Sequence, residues 1–310
     1  MTATDPTDLD RHTITAADGT DLRLYEAPTA GAEAAILHLH GGITNARALF
    51  APPVAGDGSY SWLHANAADG RAAFALDVRG YGESDPLPAF EEPADANEPP
   101  VRATDAARDV AAAVEYVADR YDTVFLLGVS WGTMTGGAYL EQSGTHPVDA
   151  FVQCAPVYRS PVDFGEAARA LGLDPDLGAW MVETYDTVRK RQGGGPVFEA
   201  VWEAMADSNQ GLPDRDAYVA QTGAVADTRA CCEGDPPYDA GAIRVPTLVV
   251  RGSTDHTSTR EDALACYDEN GARGDRKEYA EIAGAGHFVM HSPRRRDLYA
   301  TVGAFFDRVG

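Results

Sequence analysis

The chain has 310 residues, of which 44% are hydrophobic, and it carries a formal net charge of −23 at pH 7. Such a charge repels nucleic acid and anionic membrane surfaces, so it argues against both as partners. No apolar run approaches the ~20 residues that a membrane-spanning helix needs. Residues 1–6 have neither the basic start nor the apolar core of a secretory signal. We therefore expect a cytoplasmic protein without a membrane or nucleic-acid partner.

Short apolar runs ending near glycine, proline or aspartate alternate with helical patterns, which is typical of a mostly parallel sheet covered on both faces. The predicted strands are residues 13–15, 22–25, 35–39, 73–76, 124–127, 151–154 and 247–250, of which the first two are edge strands. We expect residues 86–100, rich in proline and acid, to form a solvated loop. Thr104 can cap the helix that follows this loop, and Ser292 precedes a last helix.

Residues 157–242, called the inserted segment below, break this alternation because helical stripes replace the apolar strand runs. The sequence predicts a helical cap here, inserted into an α/β core formed by residues 1–156 and 243–310. One stripe consists of Leu177, Trp180, Met181, Tyr185 and Val188, and another of Phe198, Val201, Trp202 and Met205. These stripes either pack the interior of the cap or roof an apolar pocket. Residues 193–195, all glycine, are either a hinge between them or a surface turn.

The motif G-V-S-W-G at residues 128–132 lies between a predicted strand and a predicted helix. Glycines two positions before and after Ser130 allow strand and helix to approach closely at a strained turn. The first amides of the helix have no partner inside it, so they can bind a developing negative charge. We interpret Ser130 as a nucleophile.

A nucleophilic serine requires a base and an acid that orients the base. The acid is expected after a late strand, where Asp255 follows residues 247–250, and the base after the next strand, where His287 lies in a glycine-rich turn. Taken alone, Asp255 can be a helix cap and His287 a loop histidine. Together, in the order serine, acid, histidine, they predict a catalytic triad. Asp163 is the alternative acid.

The oxyanion formed during acyl transfer needs at least two hydrogen-bond donors. One is predicted to be the amide of Trp131. The second is expected in the loop H-G-G-I at residues 40–43, where glycine lets the backbone approach a substrate. We predict the amide of Gly42, with Ile43 as the alternative register, and expect His40 to orient the loop.

The motif D-V-R-G-Y-G-E-S at residues 77–84 follows another strand. We expect the charge pair of Asp77 and Arg79 to fix this turn. Asp77 is a poor nucleophile candidate because the elbow already carries serine. No metal-ligand pattern surrounds the cysteines, which are Cys154, Cys231, Cys232 and Cys266, so neither a metal, a cofactor nor a disulfide framework is expected.

These motifs, namely the HGG loop, the D-x-R-G-x-G-x-S turn, the G-x-S-W-G elbow, R-G-x-x-D and G-x-G-H-F, resemble the α/β-hydrolase superfamily over the chain outside the inserted segment. The resemblance implies Ser130, Asp255 and His287 as the triad. It also implies a mostly parallel eight-stranded sheet with one antiparallel strand, flanked by helices, and a cap after the sixth strand.

Serine at the elbow disfavours the haloalkane dehalogenase and epoxide hydrolase branches, which carry aspartate there, and indicates acyl transfer. We expect hydrolysis of a small-molecule carboxylic ester through an acyl-enzyme. Prolyl iminopeptidase is an alternative because it shares the loop, turn and elbow motifs, although its HGGPG is H-G-G-I-T here. Glu183, Glu199 and Glu203 are the candidate acids for a substrate amino group. Lactonase, carbon–carbon bond hydrolase, acyltransferase and small-molecule receptor functions stay open.

An apolar pocket above Ser130 would suit an uncharged acyl or alcohol group. The predicted lining combines the oxyanion loop, the two stripes and the residue after the catalytic histidine. These residues are Ile43, Trp180, Met181, Tyr185, Phe198, Trp202 and Phe288.

Lysine occurs only at Lys190 and Lys277, against 48 acidic residues, a balance that resembles proteins of salt-loving archaea or high-GC bacteria. High salt screens the self-repulsion of such a charge. We expect the free energy of unfolding to be larger in molar potassium chloride than in dilute buffer, as measured by urea denaturation. Equal stability in both solutions would contradict this expectation.

Overall fold

A computed structural model describes residues 8–171, 177–208 and 215–310. Its strands are β1 (Asp10–Thr15), β2 (Asp21–Ala27), β3 (Ala34–Leu39), β4 (Ala72–Leu76), β5 (Thr123–Val129), β6 (Val148–Cys154), β7 (Trp180–Thr184), β8 (Ala217–Gln221), β9 (Thr247–Gly252) and β10 (Lys277–Ile282). Its α-helices are α1 (Ala46–Phe50), α2 (Trp62–Ala68), α3 (Ala103–Ala118), α4 (Trp131–Ser143), α5 (Phe164–Leu171), α6 (Tyr185–Gln192), α7 (Pro196–Asp207), α8 (Gly223–Cys232), α9 (Arg260–Glu269) and α10 (Arg295–Val309).

Eight strands form one sheet in the order β1-β2-β4-β3-β5-β6-β9-β10. Strand β2 runs antiparallel to both of its neighbours, and the other neighbouring pairs are parallel. The predicted eight-stranded, mostly parallel sheet with one antiparallel strand is confirmed. The sequence prediction does not include strand β10. This edge strand reads K-E-Y-A-E-I and is half-buried, so it contains no apolar run.

Helices cover both faces of the sheet, and the side chains of each strand alternate between the two resulting cores. Leu126 lies in the core that contains Val114 of α3 and Met134 of α4. Its neighbour Phe125 points to the opposite face, where its ring stacks on Phe306 of α10 with the centroids 4.4 Å apart. The central strands are therefore buried on both faces and hold the loops at their carboxyl ends in place.

Helix α3 begins at Ala103, and the predicted cap by Thr104 is wrong. No side chain from its own N-cap residue bonds to the first turn. The carboxylate of Asp227 in α8 accepts the Ala103 N–H instead, at 2.7 Å. A distant acceptor thus replaces the local one, because any oxygen aimed at the first helical amides satisfies them.

The inserted segment contains helices α5 to α8 and also a two-stranded antiparallel sheet, β7-β8. The prediction of a helix is wrong over Trp180–Thr184. The burial of side chains alternates there, with Val182 46% exposed and Glu183 3%. Apolar residues at this spacing suit a helix, yet this segment is a strand because it pairs with β8. The pairing runs from Trp180 with Gln221 to Thr184 with Ala217. Glycines 193–195 connect α6 to α7.

Polar contacts attach the inserted segment to the core. The side-chain amide of Gln221 donates to the Arg79 carbonyl at 2.9 Å, and the Gly223 N–H donates to the Pro100 carbonyl at 2.7 Å. Packing adds to them, because α7 lies against α1. We retain residues 157–242 as a proposed cap. None of the helices in the three described ranges is both long and apolar enough to cross a membrane.

The turn after β4 depends on Asp77, whose side chain is completely buried. Its carboxylate accepts the Ala46 N–H at 2.8 Å, the Glu83 N–H at 2.9 Å and the Tyr25 hydroxyl at 3.2 Å. The expected Asp77–Arg79 pair is wrong, because backbone amides occupy Asp77 while the guanidinium of Arg79 binds Asp109 and Asp18.

We expect Asp77→Asn to lower the free energy of unfolding by about 1–3 kcal/mol. The NH₂ group of asparagine would replace one carboxylate oxygen, so the backbone N–H of either Ala46 or Glu83 would lose its acceptor. Asp119→Asn, at the exposed end of α3, is the control and should leave it unchanged. Urea denaturation measures both. Equal midpoints for the two variants would show that Asp77 does not anchor the turn.

Candidate active site

Ser130 occupies a strained turn between β5 and α4. Its backbone has φ 53° and ψ −117°, a conformation that side-chain-bearing residues rarely adopt. A Cβ at Gly128 would overlap the Gly132 carbonyl, and a Cβ at Gly132 would overlap the Leu39 carbonyl. The Ser130 N–H donates to the Cys154 carbonyl at 2.9 Å. Two glycines and the neighbouring strand β6 therefore hold the serine at the carboxyl end of β5.

Asp255 follows β9 and His287 follows β10, and the structure brings the two side chains together. The imidazole Nδ1–H donates to Asp255 Oδ2 at 2.8 Å, and Oδ1 accepts the amides of Thr257 and Ser258 at 2.8 and 3.0 Å. The carboxylate is fully buried and the imidazole 17% exposed. Burial alone would raise the pKa of Asp255, but the His287 charge and these hydrogen bonds outweigh it, so the pKa lies below its ordinary value. The Asp255 carboxyl is thus ionised near pH 7, and its hydrogen bond holds the His287 ring.

Asp163, the alternative acid, is exposed and lies elsewhere. Its carboxylate accepts the Glu166 N–H at 2.8 Å in the first turn of α5. Among the residues that the structure describes, it makes no contact with His287. Asp163 is a helix cap, and the acid beside His287 is Asp255.

The serine and the Asp255–His287 pair lie at the same edge of the sheet, because β5, β6, β9 and β10 are parallel neighbours. Cys154, at the end of β6, links them: its carbonyl bonds to Ser130. Cys154 also pairs with Val250 of β9, the strand that Asp255 follows. Burial, and next the charge of Asp255, raise the pKa of the Cys154 thiol. No hydrogen bond joins Ser130 Oγ to His287 among the described side chains; catalytic contacts of this kind often tighten only when substrate binds.

Two amides beside Ser130 are available to an oxyanion. Neither the Gly42 N–H nor the Trp131 N–H donates to another group within the described ranges. The Ile43 N–H donates to the Tyr81 hydroxyl at 3.4 Å, which favours Gly42 over the alternative register. A Cβ on Gly41 would lie 3.4 Å from Ser130 Cβ, so this loop approaches the serine directly.

His40 connects the loop at 40–43 to the turn after β4. Its Nδ1–H donates to the Gly41 carbonyl at 2.8 Å, and its Nε2 accepts the Val78 N–H at 3.2 Å. Burial lowers the pKa of His40 to about 4, so the ring is neutral near pH 7 and can make both bonds. These contacts agree with an orienting role.

Five of the seven predicted pocket residues meet in one apolar cluster, which we call the roof cluster. Its buried members are Ala48, Val188, Phe198, Trp202, Ala204, Met205, Ala206, Tyr218 and Ala220, with Ile43, Met181, Tyr185 and Val201 packed against them. Trp180 lies apart, since its indole N–H donates to the Glu92 carbonyl at 3.0 Å. Phe288 also lies apart from the roof cluster, with its ring next to the rings of His287 and His291.

Three residues that the sequence does not single out contact the site. The Trp131 indole N–H donates to Asp227 at 2.8 Å, and the hydroxyls of Tyr81 and Tyr218 bond to the Ile43 backbone. Tyr81 lies within the recognisable turn motif. Asp227 and Tyr218 belong to the inserted segment, where no motif marks them, so their contacts emerge only from the tertiary structure.

The chain belongs to the alpha/beta hydrolase family, whose sequence pattern it matches over residues 36–300. Solved structures of the same fold include a malate-bound thermophilic esterase from Thermogutta terrifontis (18% identity, 97% of this chain and 99% of that chain covered, TM-score 0.60). An esterase from Exiguobacterium antarcticum is 18% identical, with 94% and 98% covered and a TM-score of 0.64. E-2-(acetamidomethylene)succinate hydrolase is 19% identical, with 97% and 100% covered and a TM-score of 0.65. No curated protein sequence matches the chain.

We expect Asp255→Asn to lower kcat about 10³- to 10⁴-fold, because an amide can hold the imidazole in the wrong tautomer. Asp163→Asn makes the same chemical change at the alternative acid and should leave kcat within about twofold of wild type. Steady-state hydrolysis of a p-nitrophenyl ester compares the two. A large loss in Asp163→Asn alone would reverse our assignment of the acid.

Proposed function

We propose that this chain is a serine hydrolase that cleaves small-molecule carboxylic esters through an acyl-enzyme on Ser130. The observation that carries the proposal is the 2.8 Å Asp255–His287 pair at the sheet edge where the Ser130 turn lies. The amides of Gly42 and Trp131 complete the set of groups that acyl transfer requires. No cofactor enters this chemistry.

In the acylation step, His287 Nε2 accepts the Ser130 hydroxyl proton as the oxygen attacks the ester carbonyl carbon. The negative oxygen of the tetrahedral intermediate accepts hydrogen bonds from Gly42 and Trp131. His287 then returns the proton to the departing alcohol. In the second half, His287 deprotonates water, which attacks the acyl-enzyme, and Ser130 leaves with the proton as the carboxylic acid is released. Asp255 stabilises the protonated imidazole in both halves.

The roof cluster supports a substrate that carries an uncharged group. It contains Ile43, the neighbour of the proposed oxyanion donor Gly42, and aromatic rings from the inserted segment. Apolar and aromatic linings bind acyl or alcohol groups by excluding water. The fold shared with the esterases of Thermogutta terrifontis and Exiguobacterium antarcticum also supports an ester substrate.

The three candidate acids do not favour an aminopeptidase. Glu183 is buried and forms an ion pair with Arg191 at 3.2 Å. Glu199 is exposed and accepts the Tyr185 hydroxyl at 2.8 Å, and Glu203 is exposed as well. A substrate ammonium group would have to displace Arg191 to reach the buried carboxylate. We therefore place ester hydrolysis before the prolyl iminopeptidase alternative.

The test is hydrolysis of p-nitrophenyl acetate, butyrate and octanoate beside proline p-nitroanilide, in dilute and in molar salt. We expect ester turnover that falls at least about 10⁴-fold in Ser130→Ala, because the nucleophile is gone. Ser143→Ala, at the far end of α4, is the matched control and should retain activity.

Other results would overturn the proposal. Anilide turnover alone would indicate the aminopeptidase. Ester turnover that survives in Ser130→Ala would exclude the acyl-enzyme on this serine. Thermal stabilisation by a small molecule, without turnover of any ester and without labelling of Ser130 by an organophosphonate, would indicate a receptor.

A further inference from the structure

Ile43 has a backbone conformation that its side chain opposes. Its φ is 63°, in the left-handed region, where the branched Cβ of isoleucine is crowded by its own backbone. A residue keeps such a conformation only where its surroundings hold it there. Ile43 directly follows Gly42, the proposed oxyanion donor, so its backbone conformation determines the direction of the loop at the catalytic serine.

One contact with the Ile43 backbone comes from the core. The Tyr81 hydroxyl accepts the Ile43 N–H at 3.4 Å. Its ring is buried between the side chains of His40 and Trp131, with centroids 4.7 and 5.8 Å away. Tyr81 is therefore fixed by His40, which bonds to the 40–43 loop, and by Trp131, which carries a proposed oxyanion donor.

A second contact comes from the inserted segment. The hydroxyl of Tyr218, in β8, donates to the Ile43 carbonyl at 3.4 Å. Tyr218 is 6% exposed, and its ring packs on Trp202 with the centroids 5.3 Å apart. Burial, followed by the nearby charge of Glu183, raises the pKa of Tyr218, which keeps the hydroxyl protonated and able to donate.

We propose that Tyr81 and Tyr218 are positioning residues of the oxyanion hole, which hold both polar backbone groups of Ile43 and thereby orient the Gly42 amide toward the oxyanion. This inference rests on the proposed ester hydrolysis. Without the two hydroxyls, Ile43 relaxes toward an extended φ, and the preceding peptide units rotate with it. Since Tyr218 belongs to the inserted segment, the oxyanion hole is complete only while β8 lies against the core.

The first experiment compares Tyr218→Phe with Tyr299→Phe. Tyr299 is a close match, because its hydroxyl also donates to a backbone carbonyl at 3.4 Å, that of Tyr60, and because it belongs to a core cluster that does not include Tyr218. We expect Tyr218→Phe to lower kcat about tenfold with KM changed less than about twofold, because the lost contact acts on the transition state. Tyr299→Phe should change neither constant. An unchanged kcat in Tyr218→Phe, or a change in KM alone, would overturn the proposal.

The second experiment removes the strain. Glycine adopts a φ of 63° without a penalty, so in an Ile43→Gly background the loop no longer needs to be held. The kcat loss caused by Tyr218→Phe should shrink there from about tenfold to less than about threefold. An equal loss in both backgrounds would show that the hydroxyl acts on something other than Ile43. Tyr81→Phe gives an independent series with the same expectation, and it decides the question if Tyr218→Phe does not fold.

The rate at which an organophosphonate labels Ser130 separates this inference from the proposed function. That reaction uses the nucleophile and the oxyanion hole but needs no natural substrate. If wild type is labelled but hydrolyses no ester, the proposed substrate class is wrong, and the labelling rates of the tyrosine variants still test the positioning role. Labelling at the wild-type rate in Tyr218→Phe would refute that role.

Discussion

The strained turn at Ser130 is the constraint on which the site depends. Ser130 can adopt φ 53° only because Gly128 and Gly132 leave room for the Gly132 and Leu39 carbonyls, and because its N–H bonds to Cys154. This close approach of β5, β3 and α4 brings the first amides of α4 and the 40–43 loop next to Ser130. The carboxyl ends of β9 and β10 lie on the same side of the sheet because these strands run parallel to β5 and β6. The proposed nucleophile, the proposed oxyanion donors and the Asp255–His287 pair therefore lie where the carboxyl ends of parallel strands meet.

In this acidic protein, buried aspartates fix the positions of the loops around them. Each of them accepts at least one backbone N–H from a segment distant in sequence, which offsets the unfavourable burial of a carboxylate. Asp77 joins β2, α1 and the turn after β4, while Asp227 joins α3 to the Trp131 indole. Asp262 in α9 accepts the amides of Tyr158 and Arg159 at 2.7 and 2.8 Å. These buried carboxylates therefore act as connections between elements.

The inserted segment contributes to the site through more than its apolar surface. Strand β8 brings Tyr218 to the oxyanion loop and Gln221 to the Arg79 carbonyl, and α8 brings Asp227 to Trp131. In the proposed mechanism, movement of this segment would therefore change the geometry of the proposed oxyanion donors. Coupling of this kind would link the closing of the proposed cap over a substrate to the proposed catalysis.

The sequence by itself determined those features of the protein that a few adjacent residues are sufficient to indicate. The central strands follow from short apolar runs, and the elbow, the acid and the histidine follow from glycines and polar residues placed at strand ends. Tertiary structure alone decided that Trp180–Thr184 is a strand, that α3 begins at Ala103 and that Tyr218 reaches Ile43. Asp227 lies 124 residues from Ala103, and Tyr218 lies 175 residues from Ile43. Contacts over such separations depend on how whole elements pack, so no local residue pattern encodes them.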